Sequence, residues 1–96
     1  MNTVNISGWI YDIAGRELKH GGYIASFKLK TKKVVGLKNK EKHLKEYDYI
    51  HCDMKGKKAK NFIESYKEGK KVFIQARLNL QDNNILYLAV DEIDMW

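Results

Sequence analysis

The N-terminal third of the chain alternates between apolar and polar residues, which is the pattern of strands that bury one face. A first strand is predicted from residue 4 and resumes toward Leu18. Gly8 within it predicts a bulge or a sharp coil, because glycine weakens a strand unless a bend requires it. After the turn signal at 20–22, a second strand is predicted over 23–31. The positions predicted to face inward are Val4, Ile6, Gly8, Ile10, Ala25, Phe27 and Leu29.

In the C-terminal half, the spacing of apolar residues changes from that of a strand to that of a helix and back. A third strand is predicted over 47–54, and Gly69 is a candidate for the C-cap of the helix that follows it. A fourth strand is predicted over 71–80 and a fifth from Ile85, with turn-forming residues at 82–84 between them. The apolar stripe of the helix is Ala59, Phe62, Ile63 and Tyr66, and one face of the fourth strand is Val72, Ile74, Ala76 and Leu78.

The order of these elements predicts the fold class, an all-β protein with one helix that forms a five-stranded OB-fold barrel. The order is strand, strand, strand, helix, strand, strand. A ferredoxin-like fold would need a helix between the first strands, and residues 11–22 have no helical stripe. The length of 96 residues predicts a single domain over 1–96, in which residues 32–46 form a basic loop or a protruding hairpin.

The chain is basic, with a formal net charge of +6 and a pI of about 9.4. Arg16 and Arg77 are its only arginines, so lysine supplies most of the positive charge. Lysine suits loose contacts with phosphates, whereas arginine suits bidentate contacts with guanine edges. The charge indicates nucleic acid first and an acidic membrane surface second, with solubility alone as the remaining explanation. No apolar run is long enough to span a membrane, and no membrane partner is expected.

Aromatic rings stand where the third strand should face water. If Ile50, Cys52 and Met54 face the core, the side chains of Tyr47, Tyr49 and His51 face outward. Bases stack on rings for about 1–3 kcal/mol each, and lysines contact phosphates. The pattern therefore predicts binding of single strands without sequence preference, since a duplex hides the faces of its bases. Each ring taken singly also has a structural explanation, because tyrosine packs well on strands.

Trp9 and, if the alternation continues, Tyr11 share this outward orientation on the first strand, as do Lys28 and Lys30 on the second. Residues 32–46 contain lysines but no ring, and they are expected to supply charge rather than stacking. The candidate nucleic-acid-binding residues are Trp9, Tyr11, Lys28, Lys30, Lys32, Lys33, Lys38, Lys40, Lys42, Tyr47, Tyr49, His51, Lys55, Phe73 and Arg77.

No catalytic or metal site is expected. His51 and Asp53 should face one side of a strand and Cys52 the other, so these three side chains cannot converge on one ion. The sequence contains no phosphate-binding loop, catalytic triad or paired acids. We therefore expect neither enzymatic activity nor a cofactor. A single cysteine and the lack of a signal peptide favour the cytoplasm.

Several segments resemble the single-stranded DNA-binding proteins of bacteria and phages. NTVNISGWI is similar to the family's first strand, YIASFKL to its second, and LAVDEIDMW to its last. GKKAKNFIESYKEGKKVFIQARL resembles the family's helix and the strand that follows it. The resemblance covers most of the chain outside 32–46. It is strongest to small members carried by phages or mobile elements, such as those on staphylococcal cassette elements.

The resemblance implies an OB-fold that binds single-stranded DNA in replication or recombination, in the bacterial cytoplasm or nucleoid. It aligns Tyr49 with a stacking tryptophan of the family and His51 with a nearby basic position, while Lys55 stands where the family often has phenylalanine. It also implies a homo-oligomer and replication partners such as a helicase or polymerase. The sequence ends at Trp96 without the family's acidic tail, so recruitment of partners through such a tail is not expected.

Two other functions fit the same residues. A single-stranded RNA-binding OB module would use the same rings and lysines. An OB-fold adaptor would use the outward rings to contact a protein of a replication complex.

Overall fold

The computed structural model describes residues 3–32, 47–82 and 85–96. Its strands close into a barrel in the order β1-β2-β3-β5-β4, and neighbouring strands are antiparallel except β3 and β5, which are parallel. The predicted order of five strands and one helix is confirmed. The elements are β1 (Val4–Glu17), β2 (Tyr23–Lys32), β3 (Tyr47–Lys55), α1 (Lys57–Ser65), β4 (Lys71–Leu80) and β5 (Leu86–Met95).

Strand β1 serves two parts of the barrel. Its first half pairs with β4 and its second half with β2, and Trp9 stands at the change of partner, opposite both Lys30 and Lys71. Gly8 allows this crossing, because a Cβ at this position would lie 2.5 Å from the Lys30 carbonyl oxygen. The hydroxyl of Thr31 donates a hydrogen bond to the Ser7 carbonyl at 3.0 Å, which ties β2 to β1 beyond their last paired residues.

The bulge of β1 lies further along the strand than the sequence predicted. The register is continuous through Gly8 and shifts between Tyr11 and Ala14, where Asp12 has a φ of 55°. Aspartate tolerates this left-handed conformation better than most residues, because its short polar side chain can bond locally. Of the bulge or sharp coil predicted at Gly8, the bulge is therefore not there. The shift reverses the outward parity, so that Ala14 rather than Ile13 shares the outer surface with Ser26.

The inward positions predicted from alternation form the core. The exception is Leu78, which is exposed because the last residues of β4 pair only with β5 among the described strands. The ends of these two strands therefore form a ribbon that projects from the barrel. The buried apolar residues are Ile10, Ala25, Phe27, Leu29, Cys52, Met54, Ala59, Phe62, Val72, Ile74, Ala76, Leu88 and Val90.

Helix α1 closes one end of the barrel. The ring of Phe62 packs between those of Phe27 and Tyr66, at centroid distances of 4.9 and 5.0 Å. The helix ends at Ser65, and the N–H of Tyr66 donates to the Phe62 carbonyl. Gly69 is therefore not the C-cap that the sequence suggested. Its φ of 83° belongs to the next turn, where its N–H donates to a carbonyl of β1.

The described part of the chain has no helix with the length and apolar character needed to cross a membrane.

Candidate functional site

The outward side chains of β1, β2 and β3 form one surface, because residues opposite each other on antiparallel strands point to the same side. We call this surface the ring face. One row across it is Trp9, Lys30 and Tyr49, and the next is Tyr11, Lys28 and His51. Lys32, the last residue of β2, and Tyr47, the first residue of β3, face each other. The predicted outward orientation of these residues is confirmed by the strand register.

Lys30 is the cation at the centre of the ring face. Its ammonium nitrogen lies 4.5 Å from the ring centroid of Tyr47 and 6.0 Å from that of Tyr11. Tyr47 also contacts Trp9 edge to face, at a centroid distance of 6.1 Å. Such cation–π contacts are worth about 0.5–1 kcal/mol at exposed sites. They hold the rings in place without neutralising the lysine, which keeps its charge for an anion.

Tyr49 is the most exposed ring of this face, with 58% of its surface accessible. It stands opposite Lys30 on β2. A ring that is held by its strand and still open to water can stack a base at little entropic cost, since few of its torsions remain to be fixed.

Towards β5, the ring face also carries the carboxylate of Asp53 and the ring of Tyr87. His51 Nε2 lies 2.7 Å from Asp53 Oδ1, and the imidazole meets the ring of Tyr87 edge to face at 6.4 Å. Tyr87 is on β5 and was not among the candidate residues. Only the parallel pairing of β3 with β5 brings it here. Towards β1, Lys28 Nζ lies 3.7 Å from Asp12 Oδ2, and this ion pair is loose and exposed.

A cleft of about 290 Å³ adjoins this face where the bulge has turned β1. Ala14 carries little side chain here, and Arg16, His51 and Asp53 line the cleft. The cleft therefore offers a guanidinium group beside an imidazole that is already hydrogen-bonded to the Asp53 carboxylate. Arg16 was absent from the candidate residues because its position depends on the bulge.

The remaining candidates are not all part of the ring face. Arg77 lies on β4 and its Nε donates to both carboxylate oxygens of Asp91 at 3.2 Å, so its charge is already compensated. Lys55 is exposed at the end of β3, and Phe73 lies on β4 opposite Ser7. The structure therefore places Arg77 and Phe73 on β4, outside the ring face. Lys33, Lys38, Lys40 and Lys42, with the predicted basic loop, lie outside the described residues.

Cys52 and its neighbours do not form a reactive site. Cys52 is fully buried, and its thiol donates to the Ile50 carbonyl at 3.6 Å. Burial, with a smaller effect of the Asp53 carboxylate, raises the pKa of Cys52 to about 12. His51 and Asp53 point to the other side of the strand, as predicted. Within 3–32, 47–82 and 85–96, no group of three histidine, cysteine or acidic residues is arranged to hold a metal ion.

Comparison with known proteins gives one family and one well-matched fold. The sequence matches the Single-strand binding protein family over residues 1–84. The structure is similar to the crystal structure of the SSB domain of a protein from Synechococcus sp., with a TM-score of 0.76 and 12% sequence identity, over 97% of this chain and 93% of that one. A search of curated proteins found no match.

At this identity the structural similarity shows the fold alone, and it confirms the predicted OB-fold. The matched family consists of non-enzymatic binding proteins, and no catalytic family is indicated.

Proposed function

Because this chain belongs to the single-strand binding protein family, we propose that it binds single-stranded DNA without sequence preference and coats it during replication or recombination. The observation that carries the proposal is the ring face, where Lys30 stands between two tyrosine rings while Tyr49 remains open. Family membership supports single-stranded nucleic acid as the ligand. The surface supports the way in which it is held.

In the proposed binding mode, rings contact bases and lysines contact phosphates. Tyr49 and Trp9 stack bases, which tolerates any sequence because every base has a π-face. Lys28, Lys30 and Lys32 follow the phosphates as point charges. An ammonium group lacks the planar fork with which arginine reads guanine, so this set of contacts discriminates little between sequences.

Single-stranded RNA is the second candidate ligand. The rings and lysines of the ring face serve either nucleic acid, and discrimination requires contacts with the 2′-hydroxyl. The pair of His51 and Asp53 is the polar group on this face that could contact such a hydroxyl. Replication partners, a homo-oligomer, a cytoplasmic location and carriage by a mobile element stay predictions of the family resemblance.

Binding can be tested with the intrinsic fluorescence of the chain, whose two tryptophans are Trp9 and Trp96. The protein is titrated with oligo-dT, oligo-rU and duplex DNA of equal charge at two salt concentrations. We expect quenching by oligo-dT at both salts, and affinity for the duplex that is at least about 2 kcal/mol weaker, the lower limit for losing two stacked bases. Equal affinity for oligo-dT and duplex would contradict the proposal. Preference for oligo-rU would favour the second candidate.

A further inference from the structure

A second group of exposed rings lies across β1 from the centre of the ring face. It consists of the rings of Phe73 and Trp96 with the ammonium group of Lys71 beside them, and we call these three residues the end patch. Trp96 is 69% exposed and Phe73 43% exposed. Lys71 and Phe73 are alternate residues of β4 that share its outer side, and the backbone N–H of Trp96 donates to the Lys71 carbonyl at 3.0 Å. This bond places the indole beside the two β4 side chains.

One ammonium group joins the end patch to the ring face. Lys71 Nζ lies 5.3 Å from the ring centroid of Trp9 and 4.2 Å from that of Trp96. The rings of Trp96 and Phe73 follow, with centroids 6.5 Å apart and planes inclined by 33°. Rings and cations therefore form a continuous row of contacts from the ring face across β1 to the start of β4.

We propose that the end patch is a second stacking site for unpaired bases, occupied by nucleotides that continue from those on the ring face. The inference rests on the proposed function and extends it, because it makes the bound strand cross β1 rather than end there. Two features support a nucleic acid as the occupant. The lysine is continuous with the cations of the ring face, and each ring leaves apolar surface in water that a base would cover.

The border of the end patch limits where the phosphates can run. Asp94 stands opposite Phe73 on β5. Phosphates are repelled on that side, so the sugar–phosphate backbone must pass on the side of Lys71, and the path ends at Phe73.

The two tryptophans make the sites separable, since each site contains one of them. Trp9→Phe leaves Trp96 as the only reporter, and Trp96→Phe leaves Trp9, while both variants keep a ring for stacking. Each is titrated with oligo-dT of about 4 and about 16 nucleotides, the limits of OB-fold site sizes. We expect the longer strand to quench both reporters and the shorter one to quench Trp9 preferentially.

The outcomes distinguish this inference from the proposed function. Quenching of Trp9 alone at saturating long strand would overturn the second site and leave the proposed function intact. Equal quenching of both reporters by the short strand would overturn the division into two sites. Binding of neither strand would overturn both proposals.

Affinity gives an independent measure. Trp96→Ala should weaken binding of the long strand by about fivefold to 150-fold, the loss of one stacked base, and leave binding of the short strand unchanged. Leu86→Ala is the matched control, because Leu86 is an exposed apolar residue on the projecting ribbon of β4 and β5. Unchanged affinity in Trp96→Ala would overturn the second stacking site. If that variant also lost self-association by light scattering, the end patch would be a contact with a second copy instead.

Discussion

The ring face and the outer surface of β4 and β5 both carry cations, but they differ in what surrounds them. On β4 and β5, Arg77 meets the carboxylate of Asp91, and Lys58 of the helix lies 2.9 Å from Glu92. On the ring face, Lys30 packs against tyrosine rings. A carboxylate cancels the field that a phosphate would feel, whereas a ring leaves it. The net charge of the chain therefore does not show where a polyanion would bind, and the partner of each cation does.

The largest expected effect tests the rings. Tyr49→Ala should weaken binding to oligo-dT by about 1–3 kcal/mol, because it removes one stacked base. Titration of tryptophan fluorescence measures the loss, and thermal melting checks that the barrel remains folded.

Leu86→Ala is the control away from the ring face, since Leu86 is 52% exposed on the projecting ribbon, where it stands opposite Leu80. It should leave the affinity unchanged, and Tyr49→Phe should keep most of it because the ring stacks without its hydroxyl. Normal binding by a folded Tyr49→Ala variant would remove stacking from this position.

The second prediction compares the cations of the two surfaces at equal change in net charge. Replacing Lys30 and Lys32 together by glutamine should flatten the plot of log affinity against log salt by about 1.4 units, since each contact with a single-strand phosphate contributes about 0.7.

The matched variant replaces Lys58 and Arg77 together by glutamine. It should keep the wild-type slope, because these cations already face carboxylates. If the two double variants flatten the slope equally, net charge rather than the surroundings of each cation governs binding.

The smallest effect should come from releasing the compensated cations. Asp91→Asn with Glu92→Gln frees Arg77 and Lys58 from their acids. Binding at low salt should strengthen by less than about 1 kcal/mol, the scale of exposed ion pairs, and converge with wild type at high salt. Measuring the affinity of both proteins for oligo-dT across a salt series checks this. Weaker binding by the variant would mean that these ion pairs shape the binding surface.

The fold was predictable because strands repeat every two residues, so one correct parity orients a whole strand. The register shift in β1 between Tyr11 and Ala14 was also visible in the sequence. Ile10 and Ile13, both directed at the core, are three residues apart, which a regular strand does not allow. The bulge was predicted at Gly8 instead, but the glycine is needed there because the backbones of β1 and β2 approach each other closely.

The candidate site was predictable only where it depends on alternation within a strand. The orientations of Tyr47, Tyr49 and Lys30 follow from alternation, and the register confirms them. The contact of Lys71 with Trp96 and the pairing of Arg77 with Asp91 depend on how β4 aligns with β5, including a shift of register after Gln75. No local pattern encodes that alignment, so these contacts were missed.

The burial of Cys52 has a practical consequence for measuring how the barrel breathes. Cys52 is the only cysteine of the chain and stands opposite Phe27 on β2 and Leu88 on β5, where three strands meet. Thiol reagents attack the exposed thiolate, and this thiol is neither exposed nor ionised near neutral pH. Its rate of alkylation therefore reports how often the strands separate and expose the thiol. The protein thus needs no added label for this measurement. The decrease in the alkylation rate of Cys52 on adding oligo-dT would measure how much a bound strand stabilises the closed barrel.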